Sequence, residues 1–438
     1  MTLRVSSFFL VIASLGLLGA CSMANAVSAS GKNGLPILFA PLQNLNRPGW
    51  IELQQRFKLP PYLSDLLNDP ATQDVRLVDV NAGLITGNTP RLFMYLPDGR
   101  QVEFHLRWSS DVNKTKTYWY GDKPSTRRRG LSAAQEVDVD PANWVALVRY
   151  GDKVFGNIHV DGHIYRLDYA GAGRQVLVQI DPSKKNALTC EAVEDTVSSS
   201  ALAVKQRKPG HAGVSIIRVM MMSTAEARAG FSRRPADGPS LSDVMEDHLI
   251  FANRAFVNSG VDIQYEFAGY VESLLSEKDK TAAEVLRLTR TPGSDVYEQM
   301  QAARERYRAD LVLTAVFDPS VLGRYYIDSR KETAFSTWQV AGDHLDMAHV
   351  LGRNIGASHY WKPGDPEFDP PYQHGYVIPG TNARTIMADY ESCPSCTGLS
   401  YYSNPKLQWQ GVPMGTPGRY DVVRRLNERR TEVEAFYP

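Results

Sequence analysis

The spacing of apolar residues along this chain changes character between its two halves. Between residues 74 and 181, short runs alternate apolar with polar and are separated by turn signals, which predicts strands at 91–96, 101–108, 144–150, 154–160, 163–169 and 175–180. Pro97-Asp98-Gly99, Gly151-Asp152 and Asp161-Gly162 supply hairpin-type turns between them. These runs predict a mainly antiparallel β domain over 73–193. From residue 213 the pattern mixes periods. Strands are expected at 214–222, 261–268, 309–317 and 335–340. Helices are expected at 241–258 and 296–307. Ser240 caps the first of these, Val244, Phe251, Ala252 and Ala255 share its apolar face, and Asn258-Ser259-Gly260 stops it.

Segments without either period divide the chain further. Residues 1–20 place Arg4 before a largely apolar run too short for a comfortable membrane span, the pattern of a targeting segment. Residues 21–72, punctuated by Gly, Asn, Ser and Pro with a short helix expected at 54–67, read as a tether. Residues 194–212, rich in Ser, Lys and Ala, read as an inter-domain linker and the place where processing would fall. A length of 438 residues suits two or three domains, and 43% hydrophobic residues is ample for their cores. Lys+Arg and Asp+Glu are both 48, so overall charge argues for no nucleic-acid partner. Arg127-Arg128-Arg129 is read as a solvated loop, and His159 and His163 as exposed strand-end residues.

The chemistry-bearing stretch is 343–359, whose centre runs His349-Val350-Leu351-Gly352-Arg353-Asn354-Ile355-Gly356-Ala357-Ser358-His359. It resembles the zinc helix of the metzincin metalloproteases, H-E-x-x-H-x-x-G-x-x-H, where two His one turn apart bind zinc and the Glu is the general base. His349, Gly356 and His359 stand at the first-ligand, turn and third-ligand positions, Val350 at that of the base and Arg353 at that of the second ligand. Further on, residues 371–377, 384–390 and 402–405 resemble the segment after the zinc helix in reprolysin-like and related bacterial members, with Met387 as Met-turn. The likeness runs from 213 to the C-terminus and departs at Val350, Arg353 and Tyr360. It implies an α+β fold class: a metzincin-like protease domain of mixed twisted sheet plus helices over 213–438, with the β-rich domain in the position of a pro-domain. Residues 335–340 would be the edge strand along which a relative aligns its substrate. Leu18-Gly19-Ala20-Cys21 resembles the lipobox of bacterial lipoproteins, which implies a lipid on Cys21 and a place in the envelope, at the outer membrane.

The substitutions decide what such a site does. An arginine has no lone pair and stays protonated, so Arg353 repels zinc rather than binding it, and Val350 cannot take a proton. The expectation is an inactive homologue, with no catalytic residue and no metal, that keeps the cleft for a peptide or protein ligand. Tyr360, Trp361, Phe368, Tyr372, His374 and Tyr376 are candidates to line it. The alternative is a zinc peptidase with an unconventional site, drawing a third ligand from Asp343, His344, Asp346 or His374 and a base from Asp389 or Glu391. In the inactive reading the Arg353 guanidinium replaces the metal, anchored near the Met-turn by backbone carbonyls or by Asp389 or Glu391. Cys393 and Cys396 suit a local disulfide in an exported chain, and Cys190 has no assigned role.

Overall fold

The computed structural model describes residues 34–42, 45–124, 140–181, 184, 189–192, 213–318 and 321–437. The targeting segment with Cys21, the Arg127-Arg128-Arg129 run and the 194–212 linker lie outside them.

Nine strands form the first half: β1 (Ile37–Pro41), β2 (Thr72–Val80), β3 (Arg91–Tyr95), β4 (Gln101–Asp111), β5 (Lys116–Asp122), β6 (Trp144–Tyr150), β7 (Lys153–Val160), β8 (His163–Gly171) and β9 (Arg174–Ile180). They hydrogen-bond in the order β1-β2-β9-β8-β7-β6-β5-β4-β3 and close into a barrel, because β1 pairs antiparallel with β2 and parallel with β3. Closure leaves no open edge, and the interior is filled by alternate side chains such as Phe104, Trp119, Leu147, Ile158 and Leu167. β1 lies inside the stretch expected as a tether. Two helices follow it, α1 (Arg47–Arg56) and α2 (Pro61–Asn68), where one helix was expected. The Pro60-Pro61 pair separates them, since the residue before a proline is pushed out of the helical region. α2 buries Tyr62, Leu63, Leu66 and Leu67 beside Val75, Val176 and Val178 on the barrel's outer surface.

The second half holds a six-stranded sheet. Its strands are β10 (Thr189–Ala192), β11 (Ser215–Ser223), β12 (Ile263–Glu272), β13 (Leu311–Val316), β14 (Val321–Tyr325) and β15 (Phe335–Gln339), in the order β10-β14-β15-β13-β11-β12. β11 is apolar on both faces: Ile217, Val219 and Met221 join one core cluster, while Met220 and Met222 join another with Leu286 and Met300. The helices are α3 (Ala225–Phe231), α4 (Leu241–Ser259), α5 (Ala282–Leu288), α6 (Asp295–Tyr307), α7 (His344–Ile355) and α8 (Val422–Val433). α4 and α7 supply Met245, Ala252, Phe256, Met347 and Leu351 to the first of those clusters.

The expected fold class is therefore corrected. In place of an α+β chain built on a metzincin-like protease domain, the structure is mostly sheet, with a closed nine-stranded barrel and eight helices among the described residues. Periodicity reports which face of a strand is buried but not which strands meet, so it carries no sign of closure by β1. β5 was missed altogether because all seven of its residues are buried, which erases the alternation that marks a strand. Residues 335–340 are corrected too: β15 lies between β13 and β14, and the edge is taken by β10, which pairs parallel with β14. His159 is not exposed; it is buried with its ring stacked 4.0 Å from that of Trp144.

The two halves meet where the outer face of β5 and β6 packs on α4. Tyr118 meets Phe251 edge to face, and at the centre the buried Asp247 accepts hydrogen bonds from the Tyr118 and Tyr150 hydroxyls, both at 2.7 Å, and an ion pair from Lys116 Nζ at 3.0 Å. Burial pushes the Asp247 carboxyl up to about 6 despite the nearby Lys116 charge. Deleting the carboxylate leaves Lys116 and two hydroxyls without their acceptor in an apolar seam. Asp247→Ala is expected to lower stability by about 3–5 kcal/mol in urea denaturation, and a loss below about 1 kcal/mol would show that the network does not hold the halves together.

Candidate functional site

α7 begins with a reciprocal cap. Asp343 accepts from the Leu345 and Asp346 amides at 2.9 and 3.1 Å, and the Asp346 carboxylate accepts from the Asp343 amide at 3.0 Å. Both carboxylates are thus spent at the helix start. His344 is buried at the barrel seam, 4.8 Å from the Trp144 ring and 5.8 Å from that of Phe251. None of these three residues is part of the histidine cluster further along the helix.

The other end of α7 shapes the site. Gly356 takes φ 110°, a left-handed value that a side chain rarely adopts, and its amide donates to the Arg353 carbonyl at 3.0 Å. A Cβ at Gly356 would also stand 2.8 Å from Arg425 Nε, so glycine is required on both counts. The chain then turns back, and the Ser358 amide bonds the Gln373 carbonyl at 2.7 Å. This return brings His359 against His349, with their Nε2 atoms 3.0 Å apart.

Each ring is fixed from behind. His349 Nδ1 faces the Ile386 carbonyl at 2.9 Å, and His359 Nδ1 faces the Asp389 carboxylate at 3.1 Å. Carbonyl and carboxylate oxygens accept, so both Nδ1 atoms donate and both neutral rings present Nε2 lone pairs. The two lone pairs face one another, with the Tyr325 hydroxyl 3.3 Å from that of His359. Met387 lies fully buried under the helix, its Sδ 3.2 Å from where a Gly352 Cβ would be. Gly375 lets the following strand pass the same turn, because a Cβ there would come within 2.1 Å of the Met387 and Ala388 backbone. Tyr402 secures the helix from the opposite side through its hydroxyl bond to the Ala348 carbonyl at 2.9 Å.

Arg353 lies one helical turn from His349 and is equally buried. Its Nη1 donates to the Ala357 carbonyl at 3.1 Å, and its guanidinium lies 4.5 Å over the Tyr325 ring. The carbonyl anchor is thus at the helix end, while Asp389 holds His359. Val350 is completely buried, with Cγ1 2.6 Å from where a Cβ on Gly323 of β14 would be. His374 sits behind the pair, its Nδ1 donating to the His359 carbonyl at 2.7 Å. Of the aromatic candidates, Phe368 meets the His374 ring edge to face at 5.6 Å, and the others make their contacts elsewhere. Tyr360 stacks on Tyr420, Tyr376 packs beside Tyr420, Trp361 lies under Arg419, and Tyr372 bonds Glu428 beneath Arg424. Cys393 and Cys396 form a disulfide just beyond the Met387 turn.

Tetrahedral zinc with bonds of about 2.0–2.1 Å sets its nitrogen donors roughly 3.3 Å apart, close to the spacing of the two Nε2 atoms. The second-ligand position is filled by Arg353, which has no lone pair to offer a metal, and among the described residues no three His, Cys, Asp or Glu side chains gather where they could hold a metal ion. The residues present therefore do not fit a zinc site with three protein ligands.

Sequence reasoning missed Tyr325, which stacks under Arg353 and reaches His359. It also missed the Ile386 and Ala357 carbonyls, for which no residue type is diagnostic.

Burial and the Arg353 charge hold His349 down to about 4, and burial with the same charge holds His359 well below the ordinary histidine range. An unfolded histidine titrates near 6.5, so the stability contributed by the neutral rings is present above pH 6.5 and is lost as pH falls toward 4. In a histidine-resolved NMR titration, His349 is expected to keep its neutral-ring shifts down to about pH 4. A midpoint near 6.5 would show that the guanidinium and burial do not govern it.

No protein-family model matches the chain. A peptidyl-Asp metalloendopeptidase of Stenotrophomonas maltophilia is 30% identical over 389 residues, spanning 86% of this chain and 89% of the relative. One of the same name from Xanthomonas campestris pv. campestris is 29% identical over 392 residues, with the same coverage. Among solved structures, a chain from a chaperone-substrate complex aligns at TM-score 0.42 and 15% identity, covering 80% of this chain and 60% of that one. Metalloproteinase-II from Bacteroides fragilis aligns at TM-score 0.35 and 7% identity, covering 71% of this chain and 86% of that one. Neither fold likeness is strong enough to carry an argument, whereas the sequence relationship spans nearly the whole chain: it belongs to the peptidyl-Asp metalloendopeptidase family.

Proposed function

We propose that this chain is an inactive member of its metalloendopeptidase family, held in the bacterial envelope by a lipid on Cys21 and using its cleft to bind an extended peptide or protein segment. The observation that carries the reading is the buried Arg353, which occupies the position of a metal ligand and is bonded there to the Ala357 carbonyl and the Tyr325 ring. A fixed cation on that spot opposes a second one. Val350 supports the same reading, because a general base contributes about 10²–10⁴ in rate and an aliphatic side chain contributes none of it. The relatives are named for a peptidase that recognises aspartate, which supports a peptide as the class of ligand.

A second reading, a peptidase with an unconventional zinc site, draws on one observation: two histidine lone pairs converge at 3.0 Å in a geometry suited to a shared cation. When bound, zinc would supply a Lewis acid and an activated water. His349 and His359 are the residues that would hold it, each oriented by its Nδ1 partner.

Elemental analysis of the purified full chain separates the two readings. Substoichiometric zinc and no chelator-sensitive peptide cleavage are expected, while one zinc per chain with cleavage abolished by a chelator would establish the second reading. The double substitution Val350→Glu with Arg353→His is expected to raise zinc affinity at least a hundredfold in competition with a chromogenic chelator. A folded double variant that still binds no zinc would mean that Arg353 is not what bars the metal. Cys21→Ser is expected to move the protein from the membrane fraction to the soluble fraction, and unchanged partition would defeat the anchor.

A further inference from the structure

Separate from the histidine pair, the seam between barrel and sheet holds an open cavity of about 460 Å³, walled by α2, the β8 and β9 side of the barrel, the segment after α3 and residues 339–342. Three arginines reach it, and they are not equally satisfied. Arg233 forms a two-point ion pair with Asp65. Arg166 and Arg234 both turn to one carboxylate, that of Asp168, at 3.5 and 3.4 Å. Charge-assisted hydrogen bonds run at about 2.7–2.9 Å, so neither guanidinium is closely bonded there. Asp168 is already engaged by the Tyr62 hydroxyl and the Tyr169 amide. Two cations thus share one anion: Arg166 Nε, the atom 3.5 Å from Asp168, makes no hydrogen bond among the described residues, and the Arg166 side chain otherwise bonds the Tyr62 hydroxyl.

The surroundings specify what completes the set. The Arg234 guanidinium lies 4.9 Å from both the Tyr62 and the Phe231 ring centroids. Aromatic contact occupies the faces of the guanidinium and leaves its in-plane N–H groups, the ones that pair with a carboxylate, for hydrogen bonding. Phe231, Phe317 and Val340 make much of the remaining wall apolar. We infer that this cavity is a binding site for a small organic carboxylate bearing an aromatic or branched apolar group, its carboxylate on Arg166 and Arg234 and its apolar part against Phe231 and Phe317. A pocket of this kind, mostly apolar with a few converging donors, is the usual form of a small-molecule site. Because both halves of the chain wall it, an occupant would bind them to one another.

The test uses 3-phenylpropionate as probe and its primary amide as the uncharged counterpart, titrated into the full chain by calorimetry. Saturable binding of the carboxylate is expected at about 1 mM or tighter, with the amide at least tenfold weaker. Arg234→Gln, which removes charge, and Ala71→Trp, which fills space without touching a charge, are each expected to weaken the carboxylate at least tenfold while remaining folded by circular dichroism. The inference is overturned if 3-phenylpropionate shows no saturable binding, if the amide binds equally well, or if the folded variants bind as the parent does. Should Arg234→Gln fail to fold, Ala71→Trp alone decides between these outcomes.

Discussion

The buried carboxylate of Asp247 is the contact on which the arrangement of this molecule depends. An ionised group in an apolar seam is costly unless several donors converge on it, and here they come from across the seam between the two halves: Lys116, Tyr118 and Tyr150 from the barrel, onto a helix of the sheet half. A hydrophobic face alone tolerates sliding, whereas a carboxylate with three partners defines a register. α4 packs beside α7, and Trp144 from the barrel touches His344 at the first turn of α7. The position of the barrel is thereby passed directly to the helix that carries His349 and Arg353.

At the other end of that helix, cation management dominates. Two imidazoles are locked by their Nδ1 bonds so that their Nε2 atoms both face inward. A neighbouring guanidinium contributes positive charge without accepting any bond from them. Tyr325 mediates between these groups, with its face under Arg353 and its hydroxyl toward His359. The arrangement keeps the rings neutral and the arginine charged, an electrostatic balance distinct from that of a metal held by three histidines.

What was legible in the sequence follows from what periodicity and motif spacing encode. β6 and β11 announced themselves because each is a mostly apolar run of strand length, and α4 because its cap, apolar stripe and terminal glycine all agree. β5 did not, since Tyr118 and Tyr120 are buried against the other half while Trp119 is buried in the barrel. A strand buried on both faces for two different reasons shows no period. Barrel closure depends on the five-residue β1, whose partners are remote in sequence. At the site, motif spacing located His349, Arg353, Gly356 and His359. It could not reveal that Asp343 and Asp346 are consumed by a helix cap, that Asp389 serves His359 rather than Arg353, or that a tyrosine from β14 lies beneath the guanidinium.

The parallel pairing of β10 with β14 bears on how any extended ligand could reach the sheet. β10 is covalently continuous with the barrel on one side and with β11 on the other, so its local concentration at the β14 edge is set by the chain itself, on the order of millimolar for a tethered partner. A free peptide of equal intrinsic affinity would compete at that concentration, not at its own dissociation constant. The edge of this sheet is thus a position already bid for from within the same molecule, and its apparent selectivity includes the strength of four residues that never leave the chain.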